Sequence, residues 1–407
     1  MLSSGMGVQL YWRAGIAAVR RVRGAQVFVD RRMDSASSAG TPRLTRPLAV
    51  RCGAFGDMVL LTALIRVLHA RFHSPVDIVT SGPWSEPLLR GQPGVGEIWS
   101  LRSRKTPYWL SADQRRLVRR LRDRGVGPAW YCDAGDAARP LLARAGIPEE
   151  FIVDVRDHSL LPGEHATEQW RRLAQVTPFA IAAPSGSGAM AAATAGAPAA
   201  ELRDAELAAV APGCHLDVSE RQRSDLEAWL RARGLSAAPL ILIQIGNKRT
   251  MRRGLRRLAV NNKYWPNERW AEVLRHVRLQ HPDHAIVLLG TGPEFALNHE
   301  VAVLADIARL YNAADDLPVP RLVALLERAA GLITVDSGPA HAGAAVGCPL
   351  VVLFGKALPS LYRPWGTAGA DVKVLCGRIA GEPDMLGIEA RSVIAAWSGL
   401  QLRDRAA

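Results

Sequence analysis

The first half of the chain alternates short apolar runs with longer segments in which apolar residues recur every three or four positions. Short runs of this kind are typical of β-strands, and the recurring spacing is typical of helices with one buried face. The predicted strands cover residues 47–51, 76–80, 96–99 and 128–133. The predicted helices cover residues 58–71, 85–90 and 111–124. Strands that alternate with helices indicate βαβ units and therefore a parallel sheet.

The second half repeats this pattern after a helix predicted at residues 215–234. Its strands are predicted at residues 240–245, 285–289, 307–311, 331–335 and 350–354. Its helices are predicted at residues 267–281, 294–306, 319–330, 339–346 and 388–400. The first of these strands is almost entirely apolar, which is typical of a strand buried on both faces. We expect the last helix to pack back on the first half.

These patterns divide the chain into five segments. They are a basic amphipathic N-terminal arm (1–47), a first α/β domain (48–177), an insert with a connecting helix (178–238), a second α/β domain (239–386) and a C-terminal helix (387–407). The insert is rich in Ala, Gly and Pro, a composition that builds no core and indicates a flexible join. The predicted fold class is α/β, with two doubly wound parallel sheets facing a cleft. In such sheets, ligands bind beyond the carboxyl ends of the strands.

Composition excludes several classes of protein. The 407 residues are 48% hydrophobic, which provides material for two cores and excludes global disorder. No run reaches the roughly 18 uncharged apolar residues that span a bilayer, so we do not expect an integral membrane protein. The five cysteines are far apart and form no Cys-x-x-Cys pair. This spacing disfavours a zinc knuckle or a disulfide framework and favours the reducing cytoplasm.

The charge of the chain predicts an anionic partner. Lys and Arg number 51 against 38 Asp and Glu, which gives a formal net charge of +13. Nucleic acid, an acidic membrane and a phosphate-bearing substrate all fit this charge. In the arm, residues 8–23 combine apolar and aromatic residues at roughly helical spacing with arginines. This pattern is typical of a helix at a membrane surface, although a solvated tail has the same composition. We expect a cytoplasmic protein with peripheral contact to the inner leaflet of the membrane through this arm.

A glycine-containing turn that ends in Gly56 and Asp57 follows the first predicted strand. Glycine lets the backbone approach a ligand closely. Asp57 is predicted at the N-terminus of the next helix. A carboxylate in this position serves either as an ordinary N-cap or as a base directed into the cleft.

A strongly basic loop follows the first strand of the second half. Between Gly246 and Trp265 the chain has seven cations and no acidic residue. The cations are Lys248, Arg249, Arg252, Arg253, Arg256, Arg257 and Lys263. Cations beside a helix N-terminus suit a diphosphate. A solvated basic loop or a nucleic-acid patch has the same charge, but only Tyr264 and Trp265 supply rings for stacking bases.

Polar residues also follow two other strands of the second half. Glu294 lies where a carboxylate can accept both hydroxyls of a ribose, although a glutamate that starts a helix is ordinary. Asp336 ends a predicted strand, and Ser337 and Gly338 open the next helix. His341 on that helix is either a ligand contact or a buried core histidine.

These segments, in this order, resemble the family 9 glycosyltransferases, the heptosyltransferases of the lipopolysaccharide inner core. The resemblance rests on Gly56-Asp57-Met-Val-Leu-Leu-Thr, Lys263-Tyr-Trp-Pro, Gly290-Thr-Gly-Pro-Glu294, Asp336-Ser-Gly-Pro-Ala-His341 and Gly347-Cys-Pro-Leu-Val-Val-Leu-Phe-Gly355. It covers residues 48–364. It implies the GT-B architecture, in which one Rossmann-like domain holds the acceptor and a second holds the nucleotide-sugar.

The resemblance also implies an activity and roles for residues. The activity is an inverting, metal-independent transfer of a sugar, usually heptose from ADP-heptose, to a lipopolysaccharide core or a related anionic glycolipid. Asp57 resembles the catalytic base of the family, and Gly56, Arg115 and Arg119 are candidates on the acceptor side. The candidate donor-binding residues are Asn247, Lys263, Glu294, Asp336, Ser337, Gly338 and His341. The chain has no Asp-x-Asp pair, and we expect neither a metal nor a cofactor.

The chain departs from the family pattern at two places, and other function classes remain to be tested. The loop at 247–262 is longer and more basic than usual, and the insert at 178–212 is unusual. A basic α/β protein that binds nucleic acid and a catalytically silent relative are the alternatives, although we expect no nucleic-acid partner. A Rossmann dehydrogenase is disfavoured, because Gly53-Ala-Phe-Gly56 does not supply the Gly-x-Gly-x-x-Gly turn.

Overall fold

The computed structural model describes residues 45–182, 201–247 and 263–403. All of these residues belong to one compact unit, Pro42–Ala407. The predicted N-terminal arm, most of the basic loop and the centre of the predicted insert lie outside the described residues. The predictions made for these segments therefore stay predictions.

The N-terminal lobe is built on a five-stranded parallel sheet with the strand order β3-β2-β1-β4-β5. Its strands are β1 (Leu48–Val50), β2 (Val76–Ser81), β3 (Val95–Leu101), β4 (Ala129–Tyr131) and β5 (Ile152–Asp154). Its helices are α1 (Phe55–Phe72), α2 (Ser85–Leu89), α3 (Ala112–Arg124), α4 (Arg139–Ala145), α5 (Ala166–Gln175) and α6 (Phe179–Ala182). The four predicted strands are confirmed, and β5, α4, α5 and α6 are additional elements.

The two faces of this sheet are covered by different helices. Helices α1 and α5 share one apolar cluster with the sheet, and α3 and α4 share another on the opposite face. In α1, the residues from Met58 to Ile65 are all buried, because the helix packs against the sheet, α5 and the second lobe. The lobes therefore share a continuous core through α1.

The connection between the lobes differs from the single helix predicted at 215–234. Helix α7 (Asp204–Ala209) lies within the predicted insert, and α8 (Glu220–Arg231) follows it. Residues 215–218 are not helical, since Ser219 is the N-cap of α8 and its side chain accepts a hydrogen bond from the Gln222 N–H. Before it, Cys214 forms a parallel bridge with Gly366 of the second lobe. This segment is thus tied to the folded body.

The C-terminal lobe contains a six-stranded parallel sheet with the order β11-β10-β9-β6-β7-β8. Its strands are β6 (Leu240–Gln244), β7 (Ala285–Leu288), β8 (Leu310–Asn312), β9 (Gly331–Val335), β10 (Leu350–Phe354) and β11 (Val372–Cys376). Its helices are α9 (Asn267–Gln280), α10 (Phe295–Ala305), α11 (Val319–Arg328), α12 (Gly338–Ala345), α13 (Pro359–Tyr362) and α14 (Ala390–Ser398). A two-stranded antiparallel pair, β12 (Arg378–Ile379) and β13 (Glu382–Pro383), precedes α14.

Two details of this lobe correct the sequence predictions. Strand β8 begins later than predicted, because Asp306 and Arg309 adopt positive φ and keep the chain out of the sheet until Leu310. The last helix, α14, packs on α9 and on the C-terminal sheet, where Trp397 lies against Gly331. The prediction that this helix packs back on the first domain is wrong.

An apolar cluster continues from one lobe into the other. It joins Met58 and Leu61 of α1 to Ala340 and Ala344 of α12. A polar link accompanies it, since His165 at the start of α5 donates through Nε2 to the Arg363 carbonyl at 2.9 Å. Within the described ranges, no helix is both long enough and apolar enough to cross a bilayer.

Candidate active site

Two helix N-termini, one from each lobe, meet at the cleft. Helix α1 follows β1, and α12 follows β9, so both start at the carboxyl edge of a parallel sheet. A Cβ added to Gly56 would lie 3.1 Å from Cδ2 of His341, and one added to Gly338 would collide with the ring of Phe55. Gly338 therefore leaves room for the ring of Phe55 from the other lobe, and Gly56 lies in close contact with His341.

Asp57 stands at this meeting point and is firmly oriented. Its Oδ2 accepts a hydrogen bond from the Ala54 N–H at 2.7 Å, and its Oδ1 accepts one from Nη2 of Arg51 at 2.8 Å. Ala54 is the N-cap of α1, so the interpretation of Asp57 as an N-cap is wrong. Asp57 instead supplies the acidic side chain that binds back to the N-cap amide. Its side chain keeps 33% exposure, which leaves it accessible to solvent.

Arg51 is a residue of this site that the sequence analysis missed. It directly follows β1, where its Nη1 also donates to the Cys132 carbonyl at 2.6 Å. Burial lowers the pKa of Arg51, but the charge and hydrogen bond of Asp57 outweigh it and raise that pKa above the ordinary value. The position after a strand end, already applied to the other candidates, is the signal that would have found it.

Lys263 and Asp336 form the second charged pair of the cleft. Lys263 Nζ lies 2.6 Å from Oδ2 of Asp336 and donates to the Asp336 carbonyl at 2.7 Å. The side-chain amide of Asn247 lies 3.5 Å from the Lys263 carbonyl. Asp336 is buried at the end of β9, whereas Lys263 is half-buried. The structure therefore brings three of the predicted donor-side residues together.

His341 interacts electrostatically with Asp57 and with both members of the Lys263–Asp336 pair. Its side chain is buried, and its Nδ1 has no hydrogen-bond partner among the described residues. Burial lowers the pKa of His341 to about 4, while the charges of Asp336 and Asp57 raise it and those of Lys263 and His165 lower it. The imidazole is therefore neutral at neutral pH and senses ionised groups from both lobes.

The N-terminus of α12 has no side-chain cap. Ser337 is its N-cap, but the Ser337 hydroxyl lies 3.1 Å from Thr334 Oγ1 and does not cap the helix. Pro339 follows Gly338 in the first turn. The amides at such a helix start, together with a nearby lysine, suit an anionic phosphate group.

Glu294 occupies a separate position along the carboxyl edge of the C-terminal sheet. Its Oε2 accepts hydrogen bonds from the N–H and hydroxyl of Thr291, both at 2.8 Å, and Oε1 lies 3.4 Å from Nε2 of Gln244. Burial raises the pKa of Glu294. Asp336 follows β9, Asn247 lies beyond β6, and Glu294 lies beyond β7. These strands are adjacent in the sheet, so the three residues lie in a row.

Arg115 and Arg119 lie apart from this cluster. Both are exposed on α3, which packs on the face of the N-terminal sheet opposite to α1. Arg115 donates through Nη1 to the Trp109 carbonyl at 2.5 Å.

No described set of three or more His, Cys, Asp or Glu side chains is placed to hold a metal ion. The groups that converge on the cleft are instead a carboxylate, a lysine and a helix N-terminus.

Two parallel-sheet lobes that face each other, with the candidate site residues between them, define an α/β protein of the GT-B class. Solved structures share this architecture. E. coli ADP-heptose lps heptosyltransferase II aligns with a TM-score of 0.63 at 21% identity, over 87% of this chain and 97% of that one. A glycosyl transferase family 9 protein from Veillonella parvula aligns with a TM-score of 0.65 at 19% identity, over 89% and 98%.

Sequence comparison relates part of the chain to one family of enzymes. Residues 198–377 match the model of glycosyltransferase family 9 (heptosyltransferase). Lipopolysaccharide heptosyltransferase 2 from Salmonella typhimurium is 24% identical over 79% of this chain and 86% of its own length. Lipopolysaccharide heptosyltransferase 3 from Escherichia coli is 34% identical over 106 residues, so the aligned part spans only 30% of that relative. The resemblance to glycosyltransferase family 9 that the sequence motifs predicted is therefore confirmed over residues 198–377, and these relatives support a glycosyltransferase.

Proposed function

We propose that this protein transfers heptose from ADP-heptose to the core of lipopolysaccharide. The observation that carries the proposal is the meeting of α1 and α12, which sets Asp57 of one lobe opposite the Lys263–Asp336 pair of the other. The family relationship supports a glycosyltransferase of this type. A related fold, the E. coli heptosyltransferase WaaC, has been solved with ADP and with ADP-2-deoxy-2-fluoro heptose.

The donor occupies the carboxyl edge of the C-terminal sheet. The Lys263 ammonium and the first amides of α12 bind the diphosphate, because both present positive charge to the cleft. Glu294 accepts the ribose hydroxyls through the lone pairs that Thr291 leaves open. Asn247 lies between the residues that bind the diphosphate and the residue that binds the ribose. The row formed by Asp336, Asn247 and Glu294 then follows the nucleotide from its sugar-diphosphate to its ribose.

The transfer itself is a single displacement at the anomeric carbon. Asp57 accepts the proton of an acceptor hydroxyl while that oxygen forms a bond to the anomeric carbon. The bond from this carbon to the ADP oxygen breaks on the opposite face, and the configuration inverts. A positioned carboxylate base contributes typically ~10²–10⁴-fold to the rate. Arg51 holds the carboxylate in place through its hydrogen bond to Oδ1.

The leaving ADP carries the developing negative charge. Lys263 and the α12 N-terminus stabilise it at the position where a divalent ion acts in metal-dependent transferases. This cationic set makes the proposed reaction metal-independent. His341 is neutral and therefore contributes shape and a ring nitrogen rather than charge. Gly56 and Gly338 allow the two helix starts to close on the reacting groups.

The acceptor binds on the N-terminal lobe, on the cytoplasmic side of the membrane where nucleotide-sugars are found. Arg104 lies 3.6 Å from Asp133 at the carboxyl edge of this lobe, and Arg115 and Arg119 lie on the adjoining helix. Their guanidinium groups match the phosphate and carboxylate groups of a lipopolysaccharide core. We place the anionic part of the acceptor along this basic side.

A nucleotide screen followed by a transfer assay tests the proposal. Thermal shift with ADP, UDP, GDP and their sugars is expected to select the adenine compounds. Mass spectrometry of a heptose-deficient lipopolysaccharide acceptor is then expected to show one added heptose. Selection of UDP or GDP compounds contradicts the donor assignment, and donor binding without transfer favours a catalytically silent relative. Salt-steep binding to nucleic acid without donor binding contradicts the proposal altogether.

A further inference from the structure

A turn with two exposed apolar side chains precedes α3 in the N-terminal lobe. Trp109 is 73% exposed and Leu110 is 59% exposed. The side chains are adjacent, so together they present apolar area to water that folding normally removes. We call residues 107–111 the Trp109 turn.

The Trp109 turn is fixed by hydrogen bonds. The N–H groups of Leu110 and Ser111 donate to the Pro107 carbonyl at 3.0 and 3.1 Å. Arg115 donates to the Trp109 carbonyl, and the guanidinium of Arg144 lies 4.5 Å from the ring centre of Tyr108. The exposure of Trp109 and Leu110 is therefore part of a bonded structure.

A row of arginines lies beside this turn. Leu117, Val118 and Leu121 bury one face of α3. The arginine row on its exposed face consists of Arg115, Arg116, Arg119 and Arg120. From residue 102 to residue 120 the chain has seven Lys or Arg residues and one acidic residue, Asp113. This stretch of the chain is therefore strongly cationic.

This surface is linked to the candidate base by a chain of charged contacts. Arg104, in the loop after β3, lies 3.6 Å from Oδ2 of Asp133. Arg51 lies 3.9 Å from Oδ1 of the same carboxylate and 2.8 Å from Asp57. The loop and the base thus share the carboxyl edge of the N-terminal sheet.

We propose that the Trp109 turn and the arginine row form a docking surface for an anionic phospholipid bilayer. Trp109 and Leu110 enter the boundary between headgroups and acyl chains, where aromatic rings and aliphatic side chains are favoured. Within the arginine row, Arg116 and Arg120 face the lipid phosphates, beside the Arg115 and Arg119 groups already proposed for the lipid-linked acceptor. Nucleic acid also attracts arginine and stacks on tryptophan, but it offers no apolar environment to Leu110. The inference rests on the proposed function only for its lipid-linked acceptor.

Vesicle flotation of the full-length protein tests this surface without donor or turnover. Vesicles of phosphatidylglycerol mixed with phosphatidylcholine are expected to bind the protein at least tenfold more tightly than pure phosphatidylcholine. Trp109→Ser combined with Leu110→Ser is expected to weaken binding about tenfold or more, since each side chain loses its apolar environment. Arg116→Gln and Arg120→Gln are each expected to weaken it about fivefold.

Matched variants on other surfaces provide the controls. Leu279→Ser removes a side chain that is 79% exposed on α9. Arg221→Gln and Arg231→Gln remove exposed arginines from α8. None of these is expected to change vesicle binding more than twofold. A failure of the transfer assay does not affect this comparison, so the two proposals fail separately.

Quenching by brominated lipids reports which side chain enters the bilayer. Trp109→Leu keeps an apolar side chain and is expected to keep vesicle binding within about threefold. It is also expected to lose most of the tryptophan quenching seen with the wild-type protein. Vesicle binding that the turn and arginine variants leave within twofold overturns the proposal. The proposal is also overturned if these variants lose binding to a random-sequence oligonucleotide but keep binding to vesicles. That result assigns the surface to nucleic acid.

Discussion

Arg51 donates a hydrogen bond to Asp57 at 2.8 Å, and Asp57 follows Gly56, which lies against His341 of the opposite lobe. The same guanidinium is anchored on the Cys132 carbonyl, so its position is set by β1 and β4. A carboxylate that accepts both this bond and the Ala54 N–H has little freedom to turn. Arg51 is therefore a positioning residue for the proposed base.

Replacing Arg51 is expected to slow turnover. Arg51→Gln removes a charge-assisted hydrogen bond, a contact typically worth ~1.5–3 kcal/mol, and is expected to lower kcat by ~10–100-fold. Arg51→Lys keeps the positive charge and is expected to lower kcat less than Arg51→Gln does. Steady-state kinetics with saturating donor measure the effect. Arg139→Gln is the control, since Arg139 pairs with Asp154 at 2.8 Å at the end of another strand. A kcat for Arg51→Gln within twofold of wild type contradicts the role.

Lys263→Met is expected to weaken donor binding. The ammonium is the one described lysine that contacts Asp336, and its loss removes charge from the proposed diphosphate site. We expect the KM for ADP-heptose to rise ~10–100-fold, as for other charged hydrogen bonds. Lys373→Met is the matched control, because Lys373 lies 3.2 Å from Asp371 in a comparable pair on β11. Equal donor KM values for the two variants contradict the assignment.

The sequence predicts the layered fold well because apolar patterning is a local property. Strands β9 and β10 have the predicted bounds, since both are apolar runs buried in the centre of the sheet. Strand β11 was missed because it is an edge strand with only partly buried side chains. Strand β5 was also missed; it is an edge strand of three residues, and one of them is the polar Asp154.

The site was only partly predictable, because its contacts join distant parts of the chain. The positions of Asp57, Lys263, Glu294 and Asp336 follow from the rule that ligands lie beyond strand ends. The ion pair of Lys263 with Asp336 spans 73 positions, and the contact of Gly56 with His341 crosses between lobes. Such pairings depend on how the two sheets face each other, which a local pattern does not encode.

Glu294→Gln is expected to abolish the recognition of the ribose. The wild-type protein is expected to bind ADP ~10-fold more tightly than 2′,3′-dideoxy-ADP, because a buried carboxylate left without its hydroxyl partners costs free energy. The variant is expected to bind both with similar affinity. Isothermal titration of the two nucleotides measures the difference. Equal discrimination by wild type and variant removes Glu294 from the ribose site.

His341 gives the protein a pH-dependent stability. Burial lowers the pKa of His341 to about 4, so the folded state resists protonation that the unfolded chain accepts near pH 6.5. The contribution of His341 to the free energy of unfolding is therefore present above pH 6.5 and is lost as the pH falls toward 4. At pH 5 the loss is about 2 kcal/mol.

Urea unfolding between pH 7 and pH 5 measures this contribution. His341→Gln is expected to lose about 2 kcal/mol less stability over this interval than wild type. His69→Gln, which replaces an exposed histidine of α1, is the matched control. An unchanged slope in His341→Gln contradicts the buried, neutral state of this side chain.

The account depends most on Asp57 as the group that accepts the proton. Asp57→Asn keeps a side-chain oxygen that can accept a hydrogen bond from the Ala54 N–H. Asp113→Asn is the matched control, because Asp113 accepts a hydrogen bond from the Arg102 N–H at the start of α3. Single-turnover transfer from labelled ADP-heptose separates chemistry from donor binding. The predicted result is a rate ~10²–10⁴-fold below wild type for Asp57→Asn, with donor affinity within about twofold and Asp113→Asn unchanged. Transfer by Asp57→Asn at nearly the wild-type rate would contradict the central claim.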